Sequence, residues 1–353
     1  MIYHYCKTER EMFLAFLKYI EKQHPDVISG WNSEGFDIPY IVNRMERILG
    51  QEYVDRLSPL RNVYFRMRKG TFGREQKRYY FDGVANLDYL DVYKRFCLKL
   101  RESYKLDAIG ELELGQKKID YEGLALHELA DQDWNKFIDY NVQDVNLLVE
   151  LEEKLQYIPL LRMLSYVGLT TLEGAMGTIG VINGALTIRA RKRGEVISTF
   201  VRSGNKDHKN PGAYVAEPKR GFKENIVSFD ANSLYPNVMI SLNTSPETKV
   251  GKVEKNDGKE ITIQHNSGRL FTLSKRDFVK FLKDEKCALS KAGFLFSQKK
   301  RGIIPEFLEY YYNQRVEIKK KLFTNTKKLK KDPGNIDLKY EVERLNTQQM
   351  VIK

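Results

Sequence analysis

The stretch Ile226-Val227-Ser228-Phe229-Asp230-Ala231-Asn232-Ser233-Leu234-Tyr235-Pro236 decides how this chain is read. An apolar run ends in a carboxylate and then turns through Ser-Leu-Tyr-Pro. A buried strand fixes its backbone, so an aspartate at its end is held within the tolerance that a divalent cation demands in phosphoryl-transfer chemistry. The stretch therefore predicts a strand over 226–230 with Asp230 as a metal ligand. The plain alternative is an aspartate capping a turn ahead of Pro236. The spelling D-x-x-S-L-Y-P is far more specific than a lone acid.

Working outward, the composition bounds what the rest can be. The 353 residues are enough for two or three domains, and 42% hydrophobic with 12% aromatic residues favours folded structure throughout. Lys and Arg outnumber Asp and Glu by 59 to 47, a formal charge of +12. That balance suits a polyanionic partner, without separating nucleic acid from anionic lipid. No run of about eighteen apolar residues suggests a membrane span, and the charged opening is unlike a secretory leader, so the expectation is a soluble, cytoplasmic chain without a membrane partner. Cys6, Cys97 and Cys287 are widely spaced and predict reduced, buried thiols rather than a disulfide framework or zinc site.

Strand and helix signals alternate up to about residue 155, the pattern of an α/β domain. Residues 12–23 have helical periodicity, Pro25 breaks it, and residues 27–31 read as a buried strand. A second helix is expected over 38–49. Residues 63–81 form two β-rich arms around Gly70 and Gly73, a hairpin with a basic, aromatic surface. A long helix follows over 134–155, and residues 158–203 read as connecting structure. Residues 211–215 open a new strand system leading to Asp230, and the chain turns helical after Pro305.

Two constellations stand in the α/β region. Asp37 follows the strand 27–31 and precedes a helix, where α/β sheets place their sites; by residue type it is equally an N-cap. Tyr140 and Asp144 are spaced i, i+4 and share a helix face, so a phenol lies beside a carboxylate and can orient an attacking water. Standing alone, a core tyrosine and a solvated aspartate would be the ordinary reading.

Together these pieces resemble family B DNA polymerases. D-x-x-S-L-Y-P at Asp230 resembles that family's motif A, while N-x-x-x-F-D at Asn32 to Asp37 and Y-x-x-x-D at Tyr140 to Asp144 resemble the second and third motifs of its 3′-5′ proofreading exonuclease, in the family's order. The phrase from Gly30-Trp31-Asn32 to Tyr40, with Leu87-Asp88-Tyr89-Leu90-Asp91 and Ser245-Pro246-Glu247-Thr248, makes the likeness strongest to the enzymes of large tailed bacteriophages. The resemblance implies a partial α/β, ribonuclease H-like exonuclease over 1–156, a connecting segment over 157–203, the first part of an α+β palm over 204–300, and an antiparallel helical fingers hairpin over 301–353. It implies Asp37 and Asp144 as exonuclease metal ligands, Tyr140 orienting water, and Asn32 and Phe36 touching the unpaired primer end. It further implies Asp230 and the Ala231 carbonyl as polymerase metal ligands, and Ser233, Leu234 and Tyr235 against the incoming dNTP, with the Tyr235 ring beneath the sugar. Lys69, Arg74 and Lys77 of the hairpin are expected to meet DNA as the primer strand parts. The implied cofactor is Mg²⁺ or Mn²⁺, and the implied partners are primer-template DNA and dNTP.

The C-terminal region supports this on separate grounds. Arg315, Lys319, Lys320, Lys321, Lys327, Lys328, Lys330 and Lys331 fall in one predicted helix, and Asp332-Pro333-Gly334-Asn335 turns the chain into a second. Pro333 lies 18 residues beyond Arg315 and Lys353 lies 19 beyond Gly334, so at about 1.5 Å rise per residue Arg315 and Lys353 reach similar heights. Arg315 and Lys319 share a face, so all three cations are expected to converge on a triphosphate, whereas 327–331 reads as a solvated strip for duplex phosphates.

The departures matter too. Two-metal transfer holds its cations about 3.5–4 Å apart and needs carboxylates from at least two segments. The Asp-Thr-Asp of motif C has no counterpart after Asp230, motif B would begin at Lys353, and no D-x-E precedes Asn32; Asp120-Tyr121-Glu122 has that spelling in the wrong place. The expectation is therefore a polymerase segment completed by another polypeptide that carries motifs B and C and the first exonuclease motif. Two other classes stay open. A stand-alone nuclease would need the D-x-E pair, and a non-catalytic DNA-binding subunit would show decay at Asp230, Tyr235 and Arg315.

Overall fold

The computed structural model describes residues 3–69, 75–97, 99–115, 126–197, 214–231 and 233–352. It divides into two compact units, residues 1–184 and 185–353.

The first unit opens with α1 (Glu9–Gln23), β1 (Val27–Gly30), α2 (Asp37–Leu49) and α3 (Gln51–Asp55). Thr8 caps α1 by accepting the Glu11 amide at 3.2 Å. On α2, Ile38, Val42, Met45 and Leu49 recur at helical spacing, and all four are buried with Phe13 and Leu17 of α1. Each such side chain contributes roughly 1.5–3 kcal/mol on leaving water, which is why this stripe fixes the helix pair. Arg44 donates to the Glu9 carboxylate through Nε and Nη2, at 2.7 and 2.6 Å.

An antiparallel hairpin follows, β2 (Val63–Lys69) with β3 (Glu75–Phe81), in a register that sets Tyr64 opposite Tyr80 and Arg66 opposite Arg78. The inward end of β3 is buried at Tyr79 and Phe81, and its outer end is exposed. Next come β4 (Ala85–Asp88), parallel to β1, and α4 (Tyr89–Phe96), then α5 (Leu106–Leu114), α6 (Leu126–Gln132) and α7 (Trp134–Leu155). Tyr89 and Tyr93 of α4 are fully buried, and their hydroxyls donate to Glu152 of α7 at 2.6 Å and to Glu113 of α5 at 2.8 Å. Burial pushes Glu152 above the usual carboxylate range, although the Tyr89 hydroxyl and nearby amides pull it back. The stretch expected to be connecting structure is mostly helical: α8 (Tyr157–Gly168), α9 (Leu172–Ala175) and α10 (Thr178–Lys192), the last running through the boundary of the two units.

The second unit contains α11 (Leu234–Leu242), a five-stranded antiparallel sheet, and two long helices. The strands are β5 (Lys249–Asn256), β6 (Glu260–His265), β7 (Leu270–Ser274), β8 (Cys287–Leu289) and β9 (Phe294–Ser297), with α12 (Lys275–Asp284) after β7; their order across the sheet is β7-β6-β5-β9-β8. Ile261, Ile263 and Leu295 of the sheet pack with Phe278 of α12. The chain then runs through α13 (Ile303–Lys331) and α14 (Ile336–Ile352), which pack on each other as the helical hairpin expected from Asp332-Pro333-Gly334-Asn335.

Two expectations are corrected. Residues 214–231 are irregular rather than a strand, and Ile226, Val227 and Phe229 are exposed. An apolar run becomes a strand only when its amides and carbonyls meet a neighbouring ladder, and no strand among the described residues pairs with this one. The cysteines are free thiols, as expected, but half-buried rather than buried. Several anticipated features lie outside the described residues: the hairpin tip 70–74 with Arg74, the Asp120-Tyr121-Glu122 spelling, the start of the segment 211–215, Asn232 and Lys353. No helix among the described residues is long and apolar enough to cross a membrane.

Candidate functional site

The loop between β1 and α2 is built around Asp88. The parallel pairing sets Gly30 opposite Asp88, so the buried carboxylate at the end of β4 lies beneath the loop leaving β1. Its Oδ1 accepts from the amides of Asn32 (2.9 Å) and Leu90 (3.0 Å), and its Oδ2 accepts from the Glu34 amide (3.1 Å). Burial raises the Asp88 pKa in spite of these donors. Asn32 takes the left-handed conformation, φ 61°, which asparagine tolerates better than most residues. A Cβ at Gly35 would stand 2.6 Å from Asn32 Oδ1, so a larger residue there would displace that side chain.

This loop presents Phe36 and Asp37. Phe36 is 65% exposed and stacks on exposed Tyr40 one turn along, with ring centres 6.1 Å apart and planes 13° from parallel. Such a platform suits a splayed base. Asp37 is the first residue of α2 and not its N-cap, a place taken by Phe36 without any side-chain cap bond. The residue is exposed, yet enough protein crowds its carboxyl for partial burial to raise its pKa, opposed only by its own backbone amide. An accessible carboxylate with no cation among the groups acting on it fits as one donor to a divalent cation. Among the described residues, however, no three acidic, histidine or cysteine side chains gather into a metal-binding cluster.

Tyr140 and Asp144 lie one turn apart on α7, the phenol buried and the carboxylate half-buried. On the hairpin, Lys69 ends β2 opposite Glu75, and Lys77 holds its ammonium 4.3 Å from the Phe65 ring centre. A cavity of about 440 Å³ opens at the hairpin's foot, lined by Asp26, Tyr64, Arg78, Tyr80 and Glu173 among others; it includes neither Asp37 nor Asp144.

In the second unit Asp230 and Ala231 are exposed in irregular backbone. Ser233, at φ 51°, starts α11, and Leu234 and Tyr235 open that helix with exposed side chains. Helix α11 packs against α13, which carries half-buried Arg315 and exposed Lys319 on one face. Arg315 Nε is buried with no hydrogen-bond partner among the described residues.

A polar knot that sequence reading did not assign locks these helices together. Asn243, left-handed at the end of α11 and buried, donates through Nδ2 to the carbonyls of Ser297 (2.6 Å) and Lys300 (2.8 Å), and its Oδ1 accepts from the Gly302 amide (2.9 Å). The Ile303 amide donates to Glu247 at 2.5 Å, so the first amides of α13, orphaned by helix geometry, are capped from a distant segment. Burial would raise Glu247, but the Ile303 amide and the Ser245 hydroxyl outweigh it and hold its pKa below the usual range. The signal was present as Asn243-Thr244 ahead of Ser245-Pro246-Glu247-Thr248, in which Ser245 and Thr248 form a capping box.

Comparison with known proteins decides the family. The profile described as DNA polymerase family B, exonuclease domain, matches residues 1–109, and that described as DNA polymerase family B matches residues 176–350. The chain belongs to DNA polymerase family B. Asp37 lies in the first match and Asp230 in the second, while Tyr140 and Asp144 fall between them. This family B chain is 30% identical over 351 residues to the DNA-directed DNA polymerase of Enterobacteria phage T4, covering 98% of the chain and 37% of that protein. It is 28% identical over 319 residues to the DNA-directed DNA polymerase of Escherichia phage RB69 (90% and 33%), and 26% identical over 345 residues to the DNA polymerase delta catalytic subunit of Candida albicans (93% and 30%). It thus spans about a third of the length of these relatives.

Proposed function

We propose that this chain carries part of the proofreading site and part of the nucleotidyl-transfer site of a DNA-directed DNA polymerase acting in the cytoplasm, with the remaining carboxylates supplied by polymerase segments outside it. The observation that carries the reading is the order of the two family matches, with Asp37 in an exonuclease region and Asp230 in a polymerase region. The share of each relative covered supports the need for further segments. Residues 1–156 are assigned to a ribonuclease H-like exonuclease, 157–203 to a connection, 204–300 to the palm and 301–353 to the fingers; the boundary between the compact units, at Gly184, falls inside the assigned connection.

In the proofreading site Phe36 stacks the unpaired terminal base, Asn32 contacts the strand end, and Tyr140 orients the attacking water. Lys69, Arg74 and Lys77 follow the parting strand. In the polymerase site Ser233, Leu234 and Tyr235 meet the dNTP, while Arg315, Lys319 and Lys353 face its phosphates. Asp37 and Asp144 would hold Mg²⁺ in the first site, and Asp230 with the Ala231 carbonyl in the second, where the metal neutralises and polarises phosphoryl oxygens when bound.

The test is a labelled primer-template in Mg²⁺, followed for extension and 3′ trimming with the chain alone and then with polypeptides supplying the rest of the polymerase. Both activities are expected on mixing, with D230A abolishing extension and sparing trimming. No activity in the complete mixture would overturn the reading.

A further inference from the structure

The basic hairpin and the loop that presents Phe36 and Asp37 meet at Glu34 and Arg78. Glu34 lies in that loop, its amide held from below by Asp88. Its carboxylate faces the hairpin: Arg78 Nη2 of β3 lies 2.5 Å from Glu34 Oε1, and the two side chains are only 17% and 12% exposed. Glu34 Oε1 is buried without an aligned donor, so the contact is one of charge rather than a formed hydrogen bond. Asp88, Asp91 and Arg68 are the other charged groups that act on Glu34.

Arg78 is fixed from its own side. The ladder pairs it with Arg66, its guanidinium carbon lies 5.8 Å from the Tyr80 ring centre, and Arg66 in turn lies 5.4 Å from both Tyr64 and Tyr80. Neighbouring Tyr79 anchors the hairpin's foot to α2 by donating to Asn43 at 3.0 Å, whereas Arg78 reaches the loop itself. A buried ion pair contributes little net stability, since desolvation offsets most of the attraction, but breaking it leaves a charge uncompensated. Its effect here falls on geometry. A two-stranded ribbon is marginal in isolation, so a link at mid-strand decides whether it tracks the loop or swings separately.

We propose that Arg78 and Glu34 form a positioning tether that makes the hairpin and the loop over 31–36 move as one body, so that a strand parted at the hairpin arrives in register on Phe36. The delivery role rests on the proofreading reading; the tether itself does not.

Amide hydrogen exchange on the full chain tests the tether directly. R78Q is expected to speed exchange across 31–36 by about tenfold, the size of a typical local coupling, and to leave the buried turn around Met45 unchanged. The charge swap E34R/R78E, which turns a cation toward Asp88 and Asp91, is expected to restore protection. Unchanged exchange in R78Q, or no recovery in the swap, overturns the tether; faster exchange around Met45 as well would mark general loosening and also overturn it. In the completed polymerase mixture, R78Q is expected to slow trimming of a mispaired primer-template about five- to tenfold more than trimming of a single-stranded oligonucleotide. Equal slowing overturns the delivery role. If the unmutated mixture trims neither substrate, the proofreading reading and the delivery role fall together, while exchange still decides the tether.

Discussion

Asp88 Oδ1 accepts the Asn32 amide hydrogen at 2.9 Å across 56 positions of sequence, and this bond sets where the first candidate site stands. The same carboxylate caps α4 through Leu90 and holds Glu34, so one buried acid fixes a left-handed loop residue, a helix start and the base of an exposed aromatic stack. A charged acceptor serving three amides is not replaced by an amide side chain, because one of its two oxygens becomes a donor.

D88N is therefore expected to destabilise the first unit by about 1–3 kcal/mol, the usual range for hydrogen bonds to a charged group. Urea unfolding followed by Trp31 fluorescence in a W134F background reads that unit, since Trp31 adjoins the loop and is bonded to the Tyr104 carbonyl at 3.1 Å. A midpoint unchanged from the W134F parent would show that the loop holds its shape without Asp88.

Glu34 gives a pH dependence. Burial raises its pKa to about 7, with Arg78 opposing and Asp88 and Asp91 reinforcing. The folded value lies above the ordinary one near 4.5, so between these two pH values the folded state binds more protons than the unfolded, and stability falls as pH rises across that window. The difference in unfolding free energy between the parent and E34Q is expected to move against the parent by about 1–3 kcal/mol from pH 5 to pH 8. Asp37 and Glu152 are also raised by burial, but they remain in both proteins and cancel in the difference, which reads Glu34 together with its coupling to Asp88 and Asp91. A flat difference would place Glu34 in an ordinary, solvated setting.

What could be read from the chain followed from the range of the forces involved. The apolar stripe of α2, the glycines between the β arms, and the Asp-Pro-Gly-Asn turn before α14 are local signals, and the corresponding elements form. The order of the acidic motifs was enough to identify the family. Asp88 was visible only as part of a phrase, because its partners at Asn32 and Glu34 are brought to it by a parallel strand pairing that leaves no local mark. Residues 226–230 have strand composition but are irregular, since strand formation depends on a neighbour as much as on the residues themselves.

Asn243 is expected to be among the most sensitive positions of the second unit. Its carboxamide makes three bonds between 2.6 and 2.9 Å, and its backbone stands at φ 57°. N243A removes the bonds, leaves the Gly302 amide without its acceptor, and puts a Cβ residue less tolerant of this conformation in its place; a destabilisation of about 2–4 kcal/mol follows. N243G is expected to recover up to about 1 kcal/mol of that by relieving the backbone alone. Equal midpoints for the two variants in thermal unfolding of the chain would mean that the left-handed backbone carries no strain.

Phe36 and the lysines of α13 are expected to bind single-stranded DNA by different physics, and salt separates them. Lys327, Lys328, Lys330 and Lys331 are exposed near the end of α13, so they neutralise phosphates and release counterions. Phe36 with Tyr40 offers a ring face, an interaction that displaces no ions. When the chain is titrated with a fluorescein-labelled oligothymidylate at several salt concentrations, F36A is expected to weaken binding about fivefold or more at every salt while leaving the slope of log affinity against log salt unchanged. Changing the four lysines to glutamine is expected to make that slope shallower by about 0.7 for each phosphate that is no longer neutralised. A slope that falls in F36A, or an affinity that does not, would remove the aromatic platform from the DNA-binding surface.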